Sequence, residues 1–266
     1  MTDLTLNDGR AMPRLGLGVY QVPEGQTAAI VRKGIDTGFR LVDTAAFYQN
    51  ELGVGDGAKG TDAWITTKLA PGRHDAGEVA KALDESLALL GRDSVDLYLI
   101  HWPVPREGKF IEAWRALIDA REAGKAISIG VCNFLPEHLD AIIEATGVTP
   151  AVNQIELHPA FQQRDVQAYD RDHGIVTQSW SPLGQGGGLK DERMVAIAQA
   201  HGRSAAQIVI AWHLAKGLSV IPKASGAEHL TDNFAAQDVM LSDEDIAAID
   251  AMDDAGGRLG PDPREL

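Results

Sequence analysis

Cysteine is almost missing from this chain of 266 residues: the single Cys132 cannot close an internal disulfide, so packing and not cross-linking must hold the fold. Basic residues are scarce as well. Lys and Arg number 24 against 38 Asp and Glu, a formal net charge of -14, whereas nucleic acids and anionic membranes are bound through basic surfaces that displace counterions. No apolar run reaches the ~20 residues of a membrane-spanning helix, and the opening Met1-Thr-Asp-Leu-Thr lacks the basic and apolar parts of a secretory signal. The expected setting is therefore cytoplasmic and reducing. His101, His158 and His173 show neither H-x-H nor H-E-x-x-H spacing, so no metal is expected. A G-x-G-x-x-G after a strand and opening a helix is absent too, which excludes a Rossmann dinucleotide site; Leu15-Gly-Leu-Gly reads instead as close-packed strand glycine.

What is present is alternation. Leu4 to Met12, with Asp8-Gly9 at its centre, predicts a β-hairpin that plugs the floor of the fold. Strand-like runs then begin at Leu15, Arg40, Ala63, Val95, Ala126, Ala151, Ile175 and Leu218. Helical spacing fills the gaps over 26–37, 78–90, 110–123, 136–144, 164–173, 192–201, 205–215 and 227–236, and a short helix is expected over the glycine-rich stretch 50–60, where the helical signal is weak. A capping pattern at Ser242-Asp-Glu-Asp245 opens a last helix, and the tail from Ala255 has no periodicity. Eight strands alternating with helices imply parallel pairing through right-handed crossovers and closure into a (β/α)8 TIM barrel, one domain over 1–266, with an N-terminal hairpin and extra C-terminal helices.

Three apolar runs end in chemistry. The Arg40 run delivers Asp43 and, five residues later, Tyr48; the next ends in Lys68; the next in His101. Parallel strand ends face one side, so the four should converge there. Reducing a carbonyl requires a proton donor as charge builds on oxygen, and a phenol of pKa about 10 is too weak without help. Lys68 would favour the phenolate and so lower that pKa, with Asp43 keeping the lysine charged, and His101 would hydrogen-bond the carbonyl oxygen. Singly, Asp43 reads as a helix cap, Lys68 as a snorkelling side chain and His101 as an interior histidine. A hydride must come from a cofactor.

Across nearly the whole chain these motifs resemble the aldo-keto reductase family, closest to bacterial 2,5-diketo-D-gluconate reductase-like members. The resemblance rests on Asp43-Thr-Ala-Ala-Phe-Tyr48 with Asn50-Glu51, Thr67-Lys68-Leu69, Asp96 to Pro103, Gly130-Val-Cys-Asn133, Asn153 to Pro159, Ser181-Pro-Leu-Gly184 and Ile221-Pro-Lys223. It implies NADPH as cofactor, a small carbonyl substrate and a monomer. It implies that Asn133 and Gln154 hold the carboxamide and Trp180 the ring of the nicotinamide, with Ser181 and Leu183 beside them. Lys223 and Ser225 would then bind the 2'-phosphate and Asn233 the adenine. Cys132 replaces a usual serine, leaving a weak thiol donor. His229 stands where relatives carry an arginine, next to Glu228, so the grip on NADPH should be looser and NADH also usable. Tyr20, Phe47, Trp102 and the tail after Met252 should line the substrate pocket together with His101. Two departures, a short 50–64 segment and the absence at Leu69-Ala70 of the tryptophan that often follows the lysine, fall beside that pocket.

Two other readings stay open at this point. Lys68 could be the nucleophile of a Schiff-base barrel aldolase, or the chain could be a regulatory module that binds the cofactor without catalysis.

Overall fold

The computed structural model describes residues 3–224, 226–254 and 256–266. Strands β1 (Leu4–Thr5) and β2 (Ala11–Met12) pair antiparallel around Asp8-Gly9, where Gly9 takes the positive φ that such a turn requires. Leu6 and Met12 are buried with Leu41, Trp64, Leu97 and Leu99, and Asn7 donates to the Pro150 carbonyl at 2.8 Å. The hairpin thus closes the floor as expected.

The barrel follows in strict alternation: β3 (Leu17–Gly18), α1 (Glu24–Thr37), β4 (Leu41–Asp43), α2 (Glu51–Ala58), β5 (Trp64–Leu69), α3 (Ala76–Leu90) and β6 (Val95–Ile100). It continues with α4 (Phe110–Glu122), β7 (Ala126–Cys132), α5 (Pro136–Thr146), β8 (Val152–Glu156), α6 (Arg164–Asp172) and β9 (Val176–Trp180). Two helices, α7 (Glu192–His201) and α8 (Ala205–Ala215), precede β10 (Ser219–Val220), and α9 (Ala227–Ala235) and α10 (Asp243–Asp250) complete the chain. Strands β3 to β10 form one eight-stranded sheet in sequence order, each neighbouring pair parallel. Parallel bridges from Leu15 to Val220 and from Gly18 to Lys223 close it into a TIM barrel, which leaves no free edge. A Cβ on Gly18 would lie 2.9 Å from the Ile221 carbonyl oxygen, so the glycine-rich first strand is a packing requirement of the seam. The last strand is shorter than 218–223 because Pro222 has no N–H for the ladder.

Every residue of β5 is buried, as befits a strand covered by helices on one side and by barrel filling on the other. Helix α3 turns Val79, Leu83, Leu87 and Leu90 inward and stops at Gly91, which is left-handed at φ 62. Helix α10 starts at Ser242, whose hydroxyl accepts from the Asp245 amide at 3.1 Å while Asp245 accepts from the Ser242 amide at 3.0 Å.

The glycine-rich stretch is the short helix expected there, α2, despite its weak helical signal. Each glycine costs about 1 kcal/mol of intrinsic propensity, but here glycine is what lets three backbones meet. A Cβ on Gly53 would come within 2.7 Å of Thr27 Cβ, one on Gly57 within 2.7 Å of the Ala28 carbonyl oxygen, and one on Gly55 within 2.5 Å of the Leu90 carbonyl oxygen. Tertiary contact overrides propensity. Among the described residues no helix is long and apolar enough to cross a membrane.

Candidate active site

Asp43 closes β4, Lys68 sits one residue from the end of β5, and His101 follows β6, so three adjacent strands deliver them to one end of the barrel. Tyr48 arrives by a tight turn. After Asp43 the chain enters a short 3-10 turn, Ala46–Tyr48, and leaves it through Gln49 in the left-handed region. Asn50 fastens this turn: its amide donates to the Val19 carbonyl at 2.9 Å and its oxygen accepts from the Thr44 hydroxyl at 2.7 Å. Tyr48 is thereby folded back over Lys68.

Lys68 is fully buried and all three of its N–H donors have an acceptor: Asp43 Oδ1 at 2.6 Å, the Thr44 carbonyl at 2.8 Å and the Tyr48 hydroxyl at 3.5 Å. The second oxygen of Asp43 accepts from Gln154 Nε2 at 2.7 Å. The same amide nitrogen donates to Gln178 Oε1 at 2.7 Å, and Gln178 donates on to the Ser219 hydroxyl at 2.9 Å. A chain of hydrogen bonds therefore runs from the lysine across the barrel interior. The His101 ring lies edge-on to Tyr48, with centroids 5.6 Å apart.

Burial works against both charges of the central pair, raising the Asp43 carboxyl and opposing the Lys68 ammonium. The Asp43 carboxylate and Tyr48 outweigh burial at Lys68 and hold it above the ordinary lysine value, so the ion pair stands. Tyr48 corrects the sequence-based expectation. Burial pushes the phenol up to about 12, and the nearby Lys68 offsets this only in part. The hydroxyl is thus protonated at neutral pH, and it is still a stronger acid than an alkoxide's conjugate acid, which is about as weak as water at 15.7. Burial, with Lys68 adding to it, pulls His101 down to about 3, so a neutral imidazole faces the site. It can donate a hydrogen bond but it is no reservoir of protons. Cys132 is buried as a thiol, its acidity suppressed first by burial, with Sγ 3.9 Å from Gln154 Oε1.

Above these groups opens a cavity of about 810 Å³. Asp43, Tyr48 and His101 line it, together with the expected substrate residues Tyr20, Phe47 and Trp102. Of the residues expected at a cofactor, Asn133, Gln154, Trp180, Ser181, Leu183 and Lys223 share that lining. Asn133 and Ser181 both adopt positive φ directly after β7 and β9. Asn133 donates to the His101 carbonyl at 3.1 Å and accepts from the Trp180 indole at 2.8 Å, which ties the two strand ends together. Lys223 is exposed, 3.4 Å from Gln21 Oε1. Asn233 and His229 lie on α9 outside the lining: Asn233 is buried and donates to the Lys223 carbonyl at 3.3 Å, and His229 is exposed. Ser225 lies outside the described residues.

Sequence reasoning missed Gln178 and Glu156. Period two along β8 puts Glu156 on the same face as Gln154, and that spacing was the available signal. Among the described residues no group of three or more His, Cys, Asp or Glu is placed to hold a metal ion.

A model of the Aldo/keto reductase family matches residues 14–254. Methylglyoxal reductase DkgA of Yersinia pestis is 47% identical over 267 residues, covering 98% of this chain and 95% of that one. Its namesake in Escherichia coli (strain K12) is 45% identical over 272 residues, covering 100% and 98%. Among solved structures, the apo form of Gox0644 matches with TM-score 0.97 at 46% identity over 98% of this chain and 97% of that one. A point mutant of Gox0644 in complex with NADPH matches with TM-score 0.98 at 45% identity over 100% and 98%. A closed parallel barrel with Asp43, Tyr48, Lys68 and His101 gathered at its carboxyl end, together with these matches, shows that the chain belongs to the aldo/keto reductase family.

Proposed function

We propose that this chain is an NADPH-dependent carbonyl reductase that turns aldehydes and ketones into alcohols with Tyr48 as the general acid. The observation that carries the reading is the buried Lys68 ammonium bonded to Asp43 and to the Tyr48 hydroxyl, beside a neutral His101 at the base of the cavity. Its relatives named methylglyoxal reductase support small dicarbonyls as substrates, and diketo sugar acids such as 2,5-diketo-D-gluconate are the second class to assay.

The rim suits a nicotinamide. Gln154 has spent both amide N–H groups on Asp43 and Gln178, which leaves its oxygen as an acceptor for a carboxamide N–H. Asn133 and Trp180 would hold the same ring, and Ser181, Leu183, Lys223, Ser225, His229 and Asn233 the rest of the dinucleotide. When bound, NADPH supplies the hydride that the carbonyl carbon accepts. His101 donates a hydrogen bond to the carbonyl oxygen and orients it, and Tyr48 passes its proton to that oxygen as charge develops. Lys68 stabilises the phenolate left behind until solvent reprotonates it. His229 with the exposed Glu228 offers a 2'-phosphate less than an arginine would, so NADH should serve as a weaker alternative. A Schiff-base role for Lys68 would need a neutral, accessible amine, and this one is buried and ion-paired. Residues 1–266 act in this reading as one cytoplasmic, monomeric reductase domain; the net charge of -14 and the buried free thiol of Cys132 support that setting.

The test is spectrophotometric oxidation of NADPH and NADH against keto acids, diketo sugars, dicarbonyls and aromatic aldehydes. Tyr48→Phe should abolish reduction while NADPH binding stays within about threefold. Lost binding would make Tyr48 structural, and no turnover across the whole panel would favour a regulatory module.

A further inference from the structure

Beyond α10 the chain crosses the mouth of the barrel, and Leu259, Gly260 and Pro261 form part of the cavity wall. One buried charge holds them there. Glu156, the last residue of β8, is 1% exposed and turns both carboxylate oxygens to the tail's backbone. Oε1 accepts from the Leu259 amide at 2.7 Å and Oε2 from the Gly260 amide at 2.8 Å. His158, also buried, places Nε2 3.1 Å from Oε1. A carboxylate is acceptor-only when ionised, so each tail N–H meets a lone pair, and such charge-assisted bonds are roughly twice as strong as neutral ones. Burial opposes the charge, yet His158 and the two amides outweigh it and keep the carboxyl below the ordinary glutamate value.

The contact is fitted as well as bonded. A Cβ on Gly260 would lie 2.8 Å from the Trp180 ring and 3.1 Å from Glu156 Oε2, so the tail lies flat against both. Elsewhere the tail is held from the surface, by Arg258 over the Phe161 ring at 4.7 Å and by Arg264 to Glu137 at 2.9 Å. The Arg264–Glu137 pair is exposed on both sides and weak for that reason, while Arg258 and Phe161 are half-buried.

We propose that Glu156, steadied by His158, is a positioning residue for the substrate: it fixes the tail as a wall of the cavity and so sets how tightly a carbonyl compound is held, without touching the reacting atoms. This rests on the reading of the cavity as the substrate site. Glu156→Gln keeps the shape but turns an NH2 toward one of the two tail amides, so at most one bond survives. With methylglyoxal as the probe, KM should rise about tenfold while kcat stays within about threefold, and amide hydrogen exchange at 259–260 should quicken. Glu156→Asp, which retains the charge, should recover part of the KM. Gly260→Ala displaces the same wall from the other side, and its KM effect should not add to that of Glu156→Gln in the double variant, because both act through one contact. If Glu156→Gln does not fold, Gly260→Ala alone must raise KM with kcat kept. Unchanged KM in the folded variants, or fully additive effects, would overturn the proposal. A wild-type chain that turns over nothing would instead sink the reading beneath it.

Discussion

Replacing Lys68 by methionine isolates the interaction on which the proposed chemistry depends. The ammonium lies 3.5 Å from the Tyr48 hydroxyl; at an effective dielectric of about 20, a unit charge at that distance favours the phenolate by about 5 kcal/mol. If the proton is half transferred at the top of the barrier, about half of this is lost with the lysine. At 1.36 kcal/mol per decade, kcat should then fall about 50-fold, and about 3000-fold if transfer is complete. The same change strands Asp43, buried and left with Gln154 as its remaining donor, at a cost of roughly 3–5 kcal/mol in stability. Folding must therefore be separated from catalysis. Adding Asp43→Asn to Lys68→Met removes the stranded charge, and the introduced amide oxygen can still accept from Gln154, so the double variant should recover melting temperature but not rate. The assay is kcat at saturating NADPH and carbonyl, with circular dichroism melting alongside. A folded Lys68→Met enzyme whose kcat lies within about fivefold of wild type would refute the role given to the ammonium.

The candidate catalytic group was legible because each strand announces its own carboxyl end. Asp43, Lys68 and His101 are polar residues that terminate or directly follow apolar runs, and parallel register brings adjacent ends together without further information. Tyr48 was harder, because its approach to Lys68 depends on a 3-10 turn that Asn50 fastens, and no hydrophobic period encodes such a turn. The direction of its pKa was hidden for a related reason: a sequence displays the lysine but not the burial that outweighs it. Helix α2 was obscured by its glycines, whose purpose appears only when the Thr27 side chain and the backbones of Ala28 and Leu90 are seen pressing against them. Glu156 shares a strand face with Gln154, but its partner Leu259 is 103 positions away in a tail without periodicity. Long-range pairing with irregular backbone leaves no local trace. The polar chain from Gln154 to Gln178 and Ser219 was hidden likewise, since a glutamine in a strand gives no sign of which neighbour it will meet.

Two pH effects follow from burial. With Tyr48 pushed up to about 12 and His101 pulled down to about 3, neither group titrates between about pH 5 and 9. The phenol must be protonated to act, which it is below 12, so kcat/KM for reduction should be flat across that range, and a fall with a midpoint near pH 7 would contradict the assignment. Asp170, on α6, affects stability and not rate. It is fully buried and accepts from the Thr177 hydroxyl at 2.8 Å and from the Asn153 amide at 3.2 Å, and burial pushes its carboxyl up from 3.8 to about 7. The folded state thus holds this proton more tightly than the unfolded chain, so the contribution is complete below about pH 4 and is lost as pH rises through about 7. Asp170→Asn cannot titrate, and its stability relative to wild type should improve from pH 5 to 7, by at most about 1.4 kcal/mol per pH unit, and level off by pH 8. Urea unfolding of both proteins across that range measures the difference directly, and a constant offset would mean that Asp170 is ionised in the folded barrel, with Thr177 and Asn153 stabilising its charge more than burial penalises it.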